Sequence, residues 1–390
     1  MGEFLAKKVC KKTFLQFPQD IVEEIFLKLP VKSLIRFRCL SKQCHAFIFE
    51  PGFSRLHYRK SREDTHGNKV FVSDCKKLCC INGEAIFKNG VIADDDFAAI
   101  DVKFITSNLV HRLNSCEGLV SVYTDSHIHL WNPLTGHYKR LPEFTQGCYF
   151  SSCFGFGYDY SRDDYMIVGP VLPLEGQEHL DKQSRKIIPF LVFSLRANSW
   201  RTLNLGFTWD DMEFLAFDGK FLNGAIHWLV LNKRLHPEPP GSEKRSRLIV
   251  SFDLASEKIH DILQLPPHDP HVIKFGILEG CLCVWIDDPY WNYHVWIMKE
   301  YKEVASWTKV AVVHRSMQLF RRPWLTPMYL LENGEALVLI YEGKLSIYNL
   351  RERKIRTIFN SNNNSCFLVT RHVERLFPFL YFEGLDCEIS

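Results

Sequence analysis

Residues 17–48, FPQDIVEEIFLKLPVKSLIRFRCLSKQCHAFI, carry more apolar side chains than a segment of this size can bury by itself. Ile21, Ile25 and Leu29 recur at spacings of four, so they share one face of a predicted helix. Other apolar residues flank these positions, and Pro30 ends the helix. The apolar stripe is therefore wider than one neighbouring helix would cover.

Three short helices are predicted in this segment. The first begins at Pro18, because proline lacks an N–H that the first helical turn would leave unbonded. The second carries Leu34 and Leu40, and the third begins near Ser41, an acceptable N-cap, and stops at Pro51. A bundle this small, with no disulfide pattern or metal site, buries too little surface to be stable alone. We therefore expect it to bind a partner.

The order of these residues resembles an F-box. The resemblance rests on Phe17-Pro18, Ile25-Phe26, Leu29-Pro30-Val31-Lys32-Ser33-Leu34 and Arg36-Phe37-Arg38-Cys39-Leu40-Ser41-Lys42. In that family the motif binds the small Skp-type adaptor of a cullin-RING ubiquitin ligase. The resemblance implies an adaptor-binding role for Phe17, Pro18, Ile21, Ile25, Leu29, Pro30, Val31, Leu34 and Leu40. The alternative is an N-terminal helical cap that packs on the rest of the same chain.

Two positions depart from the family pattern. Phe17 stands where Leu usually precedes Pro, and Cys44 stands where Trp is typical. Because both replacements change the apolar side chain at a packing position, we expect the third helix to pack less firmly. A lower affinity for the adaptor would follow.

The composition, 46% apolar and 24% charged residues in 390, is that of a globular protein with room for two domains. No apolar run approaches the roughly 18 residues of a membrane span, and residues 1–13 precede no apolar signal region. The 13 cysteines are an odd number without paired metal-ligand spacing, which favours reduced thiols. These features predict a cytoplasmic or nuclear protein that is not membrane-bound.

The charge is concentrated at the N-terminus. Residues 1–65 hold 13 Lys and Arg against 7 Asp and Glu, and since the chain is +3 overall, residues 66–390 carry −3. The basic N-terminus is compatible with a nuclear address or a nucleic-acid arm, and more often with a solvated tail. The larger part has no basic stripe, so we expect no nucleic-acid platform.

From Val70 onward, short runs rich in Val, Ile, Phe, Tyr and Trp alternate with turn residues, which predicts an essentially all-β remainder. A degenerate repeat runs through it. One part is a Gly turn before an apolar strand, in residues 115–123, 222–230, 278–286 and 332–341. The other is a strand, a polar turn and a return strand, in residues 130–142, 192–203, 251–266, 295–310 and 347–358.

The spacing of the repeat predicts a propeller. Anchored at Asn132, Ser194, Asp253, Met298 and Asn349, successive units lie 62, 59, 45 and 51 residues apart, about one four-stranded blade each. A hairpin buries one face only, so the units need neighbours on both sides, and a closed ring supplies them. Residues 70–92, completed by residues 366–369 or 379–382, would add a blade and bring the number to about six. A large β-sandwich would show the same alternation.

The β part also resembles the kelch-like F-box-associated domain of plant F-box proteins. The matching stretches are Ser115-Cys116-Glu117-Gly118-Leu119, Trp131-Asn132-Pro133-Leu134-Thr135-Gly136, Phe154-Gly155-Phe156-Gly157-Tyr158-Asp159 and Leu222-Asn223-Gly224-Ala225-Ile226-His227-Trp228. The predicted organisation is α+β: a basic N-terminus (1–14), a three-helix F-box (15–50), a linker (51–68) and an all-β domain (69–390). The tandem implies a substrate-recognition subunit of an SCF-type ubiquitin ligase.

Motifs for other chemistry are weak. Asp94-Asp95-Asp96 lacks the Gly and Glu of a calcium loop, and the Gly155 and Gly157 pair lacks the third glycine and the helix of a phosphate loop. His127 and His129 alternate along a strand without a third metal ligand. We therefore predict no catalytic residues, no metal and no cofactor.

The predicted function is non-enzymatic. The helices would bind the adaptor, and through it cullin and RING subunits, while the β domain would hold an unidentified target protein. Insert-like segments at 174–186 and 235–247 indicate where the target would bind, because long loops on a face of a propeller often form its binding surface. A glycan-binding or enzymatic propeller and a scaffold that leads to no degradation remain as alternatives.

Overall fold

A group of short helices precedes a domain built almost entirely of strands. This is a computed structural model, which describes residues 18–37, 39–48, 50–63, 68–73, 78–82, 97–100, 102, 110–124, 127–144, 153–171, 187–208, 212–215, 218–232, 246–266, 272–288, 290, 292–314, 326–330, 335–340, 344–360, 368–373, 375 and 388–389. The predicted α+β class, helices first and strands after, is confirmed.

The helices are α1 (Gln19–Leu27), α2 (Val31–Phe37), α3 (Lys42–Ile48) and α4 (Pro51–Glu63). The first three correspond to the three predicted from sequence, except that Leu40, which we expected on the second helix, lies in the turn after α2 because that helix ends at Phe37. Ser41 caps α3, since its Oγ accepts the Cys44 N–H at 3.0 Å. The fourth begins at Pro51, where we expected the third helix to stop, because proline is as well suited to start a helix as to end one. It occupies much of the segment that we assigned to a linker.

The strands form six sheets, which we number as blades. Blade 1 contains β1 (Asn68–Ser73), β2 (Leu78–Asn82), β3 (Phe97–Ile100) and β25 (Leu368–Val373); blade 2 contains β4 (Val110–Cys116), β5 (Leu119–Thr124), β6 (Ile128–Trp131), β7 (His137–Arg140) and β26 (Glu388–Ile389). Blade 3 contains β8 (Gly155–Asp159), β9 (Asp164–Pro170), β10 (Ile187–Ser194) and β11 (Ser199–Thr208); blade 4 contains β12 (Met212–Phe214), β13 (Lys220–Leu222), β14 (Ala225–Asn232), β15 (Ser246–Asp253) and β16 (Lys258–Gln264). Blade 5 contains β17 (Val272–Leu278), β18 (Cys281–Asp287), β19 (Tyr293–Met298) and β20 (Trp307–Val313); blade 6 contains β21 (Thr326–Leu330), β22 (Glu335–Ile340), β23 (Lys344–Asn349) and β24 (Lys354–Asn360).

The end of the chain returns to its beginning. Strand β25 pairs antiparallel with β1, with Val70 opposite Arg371. The prediction that a C-terminal segment would complete the first blade is thus confirmed, with β25 rather than the shorter 366–369 as the strand. The alternative segment 379–382 lies outside the described residues. Pairing the two ends of the domain closes the ring and confirms the propeller over the sandwich.

The repeat in the sequence follows from the geometry of its turns. Glu117 and Gly118 both have positive φ, at 47° and 85°, as a two-residue turn between twisted strands requires, and Gly tolerates this without strain. The other recurring turn depends on a side-chain acceptor. Asn132 Oδ1 accepts the N–H of Leu134 at 2.9 Å, and Asp253 Oδ1 accepts that of Ser256 at 2.7 Å.

Apolar clusters between successive blades supply the core. Five clusters join blade 1 to 2, 2 to 3, 3 to 4, 4 to 5 and 5 to 6, each containing side chains from both partners. Trp131 and Trp228, at most 2% exposed, are among the largest buried side chains. Within the described part of the chain, no helix is both long enough and apolar enough to traverse a bilayer.

Candidate functional site

The helical module has its own sealed core. Phe26, Val31, Leu34, Cys44, Ile48 and Phe53 are each at most 4% exposed and form one cluster. Phe47 and Phe53 lie with ring centroids 4.8 Å apart, so α4 packs on α3. Cys44, which stands where the F-box pattern usually has Trp, is 3% exposed and lies inside this core.

An apolar face is left uncovered on the outside of this core. Ile21, Ile25 and Leu40 are 43%, 49% and 50% exposed. Ile21 and Ile25 lie one helical turn apart on α1, while Leu40 lies in the turn between α2 and α3. Three of the seven exposed large hydrophobic side chains in the described part of the chain thus belong to this small module. Such a concentration is typical of an interaction surface.

The structure sorts the nine predicted adaptor-binding residues by exposure. Pro18, Ile21, Ile25, Pro30 and Leu40 are exposed and Leu29 is half-buried. Val31 and Leu34, at 4% and 0% exposure, lie in the helical core, where they hold the helices together. Phe17 lies outside the described residues. The five exposed members and the half-buried Leu29 define what we call the apolar face: Pro18, Ile21, Ile25, Leu29, Pro30 and Leu40.

A buried histidine fixes α4 to the end of α1. His57 is 2% exposed, and its Nε2 lies 2.8 Å from the Leu29 carbonyl oxygen, to which it donates. Burial lowers the pKa of His57, since the charged ring would lose its hydration. The neutral ring therefore connects α4 to the backbone at Leu29, just after α1.

The helical module is joined to the propeller through a second buried contact. Arg375 and Glu117 form an ion pair of 2.9 Å, and both side chains are 4% exposed. The guanidinium also lies over the rings of Tyr158, at 4.8 Å, and of Tyr58 on α4, at 5.6 Å. Tyr160 donates to the other Glu117 oxygen at 2.6 Å. Arg375 thereby connects α4 to blades 2 and 3.

Apolar packing strengthens this junction. Leu134, in the polar turn of blade 2, packs against the helical core. Between α4 and the propeller, a cavity of about 400 Å³ is lined by Arg55, Leu56, Tyr58, Arg59, Glu117 and Tyr160, among others. The orientation of the apolar face relative to the propeller is therefore set by specific contacts. Sequence reasoning missed Arg375, whose segment carries no recognisable motif.

The other candidate sites have structural roles or lie elsewhere. A Cβ on Gly155 would lie 2.2 Å from Ile226 Cγ2, so this glycine allows close packing between blades 3 and 4. His127 Nε2 contacts Glu143 at 3.2 Å, and His129 is buried. Among the described residues, no three His, Cys, Asp or Glu side chains gather as metal ligands would. Asp94–Asp96 and most of the two insert-like segments lie outside the described residues.

Sealed helices with an exposed apolar face, fixed to a propeller, are the architecture of an F-box protein. Residues 14–56 match the model of the F-box domain, and residues 86–381 match that of the F-box associated beta propeller domain. The chain belongs to this family, the plant F-box proteins with a C-terminal F-box-associated domain.

Two relatives from Arabidopsis thaliana illustrate the similarity. F-box protein CPR1 is 26% identical over 369 residues, covering 87% of this chain and 84% of its own. An F-box/kelch-repeat protein is 25% identical over 367 residues, covering 90% and 92%. Among solved structures, the WD40 repeats of RRP9 are 10% identical with a TM-score of 0.37, over 79% of this chain and 78% of that one. A similarity that low carries no argument, so the fold rests on the strand pairing described above.

Proposed function

We propose that the chain is the substrate-recognition subunit of an SCF-type ubiquitin ligase. The observation that carries the proposal is the apolar face: Ile21, Ile25 and Leu40 stay about half exposed although the core beneath them is complete. A helical cap that merely covered its own propeller would turn these side chains inward. A Skp-type adaptor would bury them and link the chain to cullin and RING subunits.

The role that we propose is non-catalytic. The propeller would hold a target protein, and the junction at Arg375 and Glu117 would fix that target relative to the ligase core. Ubiquitin transfer would then be promoted by proximity, because a tethered lysine has a high effective concentration at the transfer site. Such complexes act in the cytosol or nucleus, which is where we place this protein. The proposal needs neither a cofactor nor a nucleic acid.

The test compares two exposed surfaces of the same chemistry. Ile21→Asp combined with Ile25→Asp places charge on the apolar face, whereas Ile262→Asp places it on blade 4, where Ile262 is 51% exposed. Each half-exposed isoleucine offers about 1 kcal/mol of further burial, so the double variant should weaken adaptor binding by at least about 30-fold. Ile262→Asp should bind like the parent.

Co-purification of the full chain with a Skp-type adaptor, followed by titration calorimetry, provides the measurement. Substitutions at Leu34 are avoided, because this residue is fully buried and a charge there would unfold the module. If the double variant binds the adaptor as tightly as Ile262→Asp does, the assignment of the apolar face is wrong. If the parent does not bind any Skp-type adaptor, the receptor proposal fails altogether.

A further inference from the structure

The cavity between α4 and the propeller is lined by two arginines with no partner. Arg55 and Arg59 face it from α4, and both side chains are exposed. Within the described part of the chain, neither guanidinium has a hydrogen bond or an ion pair. The two residues lie one helical turn apart, where like charges weaken a helix slightly. The stability of α4 therefore does not explain the pair.

The other described residues that line the cavity add no net charge. The Glu117 carboxylate is paired with Arg375 at 2.9 Å. Tyr160 donates its hydroxyl to the same carboxylate at 2.6 Å. Burial, and then the negative charge of Glu117, raise the pKa of Tyr160, so this side chain stays neutral at physiological pH. The positive charges of Arg55 and Arg59 are left uncompensated.

The size of the cavity and its apolar walls indicate an organic ligand. Its volume of about 400 Å³ lies in the range of small-molecule sites and exceeds what a bare inorganic anion fills. Leu56, which is half-buried, and the rings of Tyr58 and Tyr160 supply apolar surface. Tyr160 is 45% exposed, so its ring has surface left for a further contact. The cavity can therefore hold an apolar body beside an anionic head.

The backbone on both sides of the cavity is held in place. On α4, His57 Nε2 lies 2.8 Å from the Leu29 carbonyl oxygen. On the propeller, the turn that carries Tyr160 is fixed by Asp159, whose Oδ1 accepts the Ser161 N–H at 2.8 Å. A ligand between these two elements therefore binds at little cost in ordering the backbone.

We propose that this cavity binds a small organic phosphomonoester, with its phosphate between Arg55 and Arg59 and its organic body against Leu56 and the Tyr160 ring. A phosphomonoester carries a charge of about −1.5 to −2 at pH 7, which balances the two arginines. Its oxygens accept several N–H groups at once, and the planar guanidinium matches this geometry. The ligand contacts α4 and the propeller together, so it strengthens the junction between them.

The experiment is titration calorimetry of the full chain at low ionic strength, with probes that share a phenyl ring. Phenyl phosphate is a dianion, benzenesulfonate carries one negative charge and benzyl alcohol carries none. Phenyl phosphate should bind at least about tenfold more tightly than benzenesulfonate, because it engages both arginines fully. It should also bind more tightly than inorganic phosphate, which has no ring. The proposal is overturned if phenyl phosphate binds no better than benzenesulfonate, benzyl alcohol or inorganic phosphate.

Variants locate the site. Arg55→Met and Arg59→Met should each weaken the binding of phenyl phosphate by about tenfold, since each removes a charged donor. Both side chains are exposed and methionine is a good helix former, so the free variants should unfold at the temperature of the parent. Arg351→Met changes an exposed arginine in the turn before β24 and should bind like the parent. If Arg55→Met or Arg59→Met binds as Arg351→Met does, the proposed site is wrong.

A last probe distinguishes the two sources of such a phosphate. A peptide with a central phosphotyrosine carries the same aryl phosphate on a protein chain. Weaker binding of this peptide than of phenyl phosphate supports a small molecule, and tighter binding overturns that assignment. The inference goes beyond the proposed receptor function, and the measurements do not involve the adaptor. Failure of phenyl phosphate to bind therefore leaves the receptor proposal untouched.

Discussion

Replacing Lys274 by methionine should stabilise the protein at neutral pH. The burial that lowers the pKa of this lysine from 10.5 to about 8 destabilises the folded state whenever the amine is charged. At 1.36 kcal/mol per pH unit, the difference corresponds to about 3 kcal/mol below pH 8. Methionine has a similar length and no charge, so Lys274→Met should recover much of this amount.

The assay is thermal unfolding followed by circular dichroism. For a chain of this length an unfolding entropy of about 0.8 kcal/mol/K converts 3 kcal/mol into a rise of about 4 °C in Tm. The sign of the pH dependence follows from the lowered pKa. Between pH 8 and 10.5 the unfolded chain still holds the proton that the folded chain has lost, so the parent gains stability with rising pH.

The advantage of Lys274→Met should therefore shrink from pH 8 to pH 10.5. Lys354→Met serves as the control, because its side chain is 79% exposed and should change stability by no more than about 0.5 kcal/mol. A parent as stable as Lys274→Met at pH 7, or a stability difference that persists at pH 10.5, would refute the view that burial destabilises the charged Lys274 amine.

Three further outcomes are expected. Arg375→Met should lower the free energy of unfolding in urea by about 3–5 kcal/mol, because Glu117 stays buried without its partner. Combining Arg375→Met with Glu117→Gln should recover part of this loss. No recovery would show that the pair does not act as a unit. Gly118→Ala should lower Tm, since φ is +85° and the new Cβ would lie 2.6 Å from Arg375 Cβ; an unchanged Tm would contradict the tight junction. Burial lowers the pKa of His227 to about 4 and that of His372 to about 3. As the pH falls below 6.5, these histidines therefore bind protons in the unfolded chain before they do so in the folded one. The free energy of unfolding should drop by about 2 kcal/mol for each of them at pH 5. A urea midpoint that holds between pH 7.5 and 5, or a drop undiminished in His227→Gln, would contradict this.

Local chemistry explains what the sequence could predict. Helix ends follow from Pro18 and Ser41, and the recurring hairpins follow from side chains such as Asn132 and Asp253, which bind the N–H groups of their own turns. These interactions span only a few residues, so the side chains that make them recur as a pattern in the sequence. The fold class and the helical module could therefore be read without knowledge of the tertiary structure.

Contacts between distant parts of the chain could not be read in this way. Arg375 and Glu117 are 258 positions apart, and Arg112 and Asp218 are 106 apart. Each pair exists because the ring closes and brings particular turns and strands together, which periodicity does not encode. The same applies to exposure: the sequence placed Leu34 among the adaptor contacts, whereas the packing of four helices places it in the core.

Side-chain oxidation by hydroxyl radicals tests the central claim most directly. The full chain is oxidised alone and with a Skp-type adaptor, and the products are mapped by mass spectrometry. We predict that the adaptor protects Ile21, Ile25 and Leu40 while leaving Ile262 and the 83% exposed Tyr290 on the propeller as reactive as before. Equal reactivity of the three helical residues with and without bound adaptor would contradict the account.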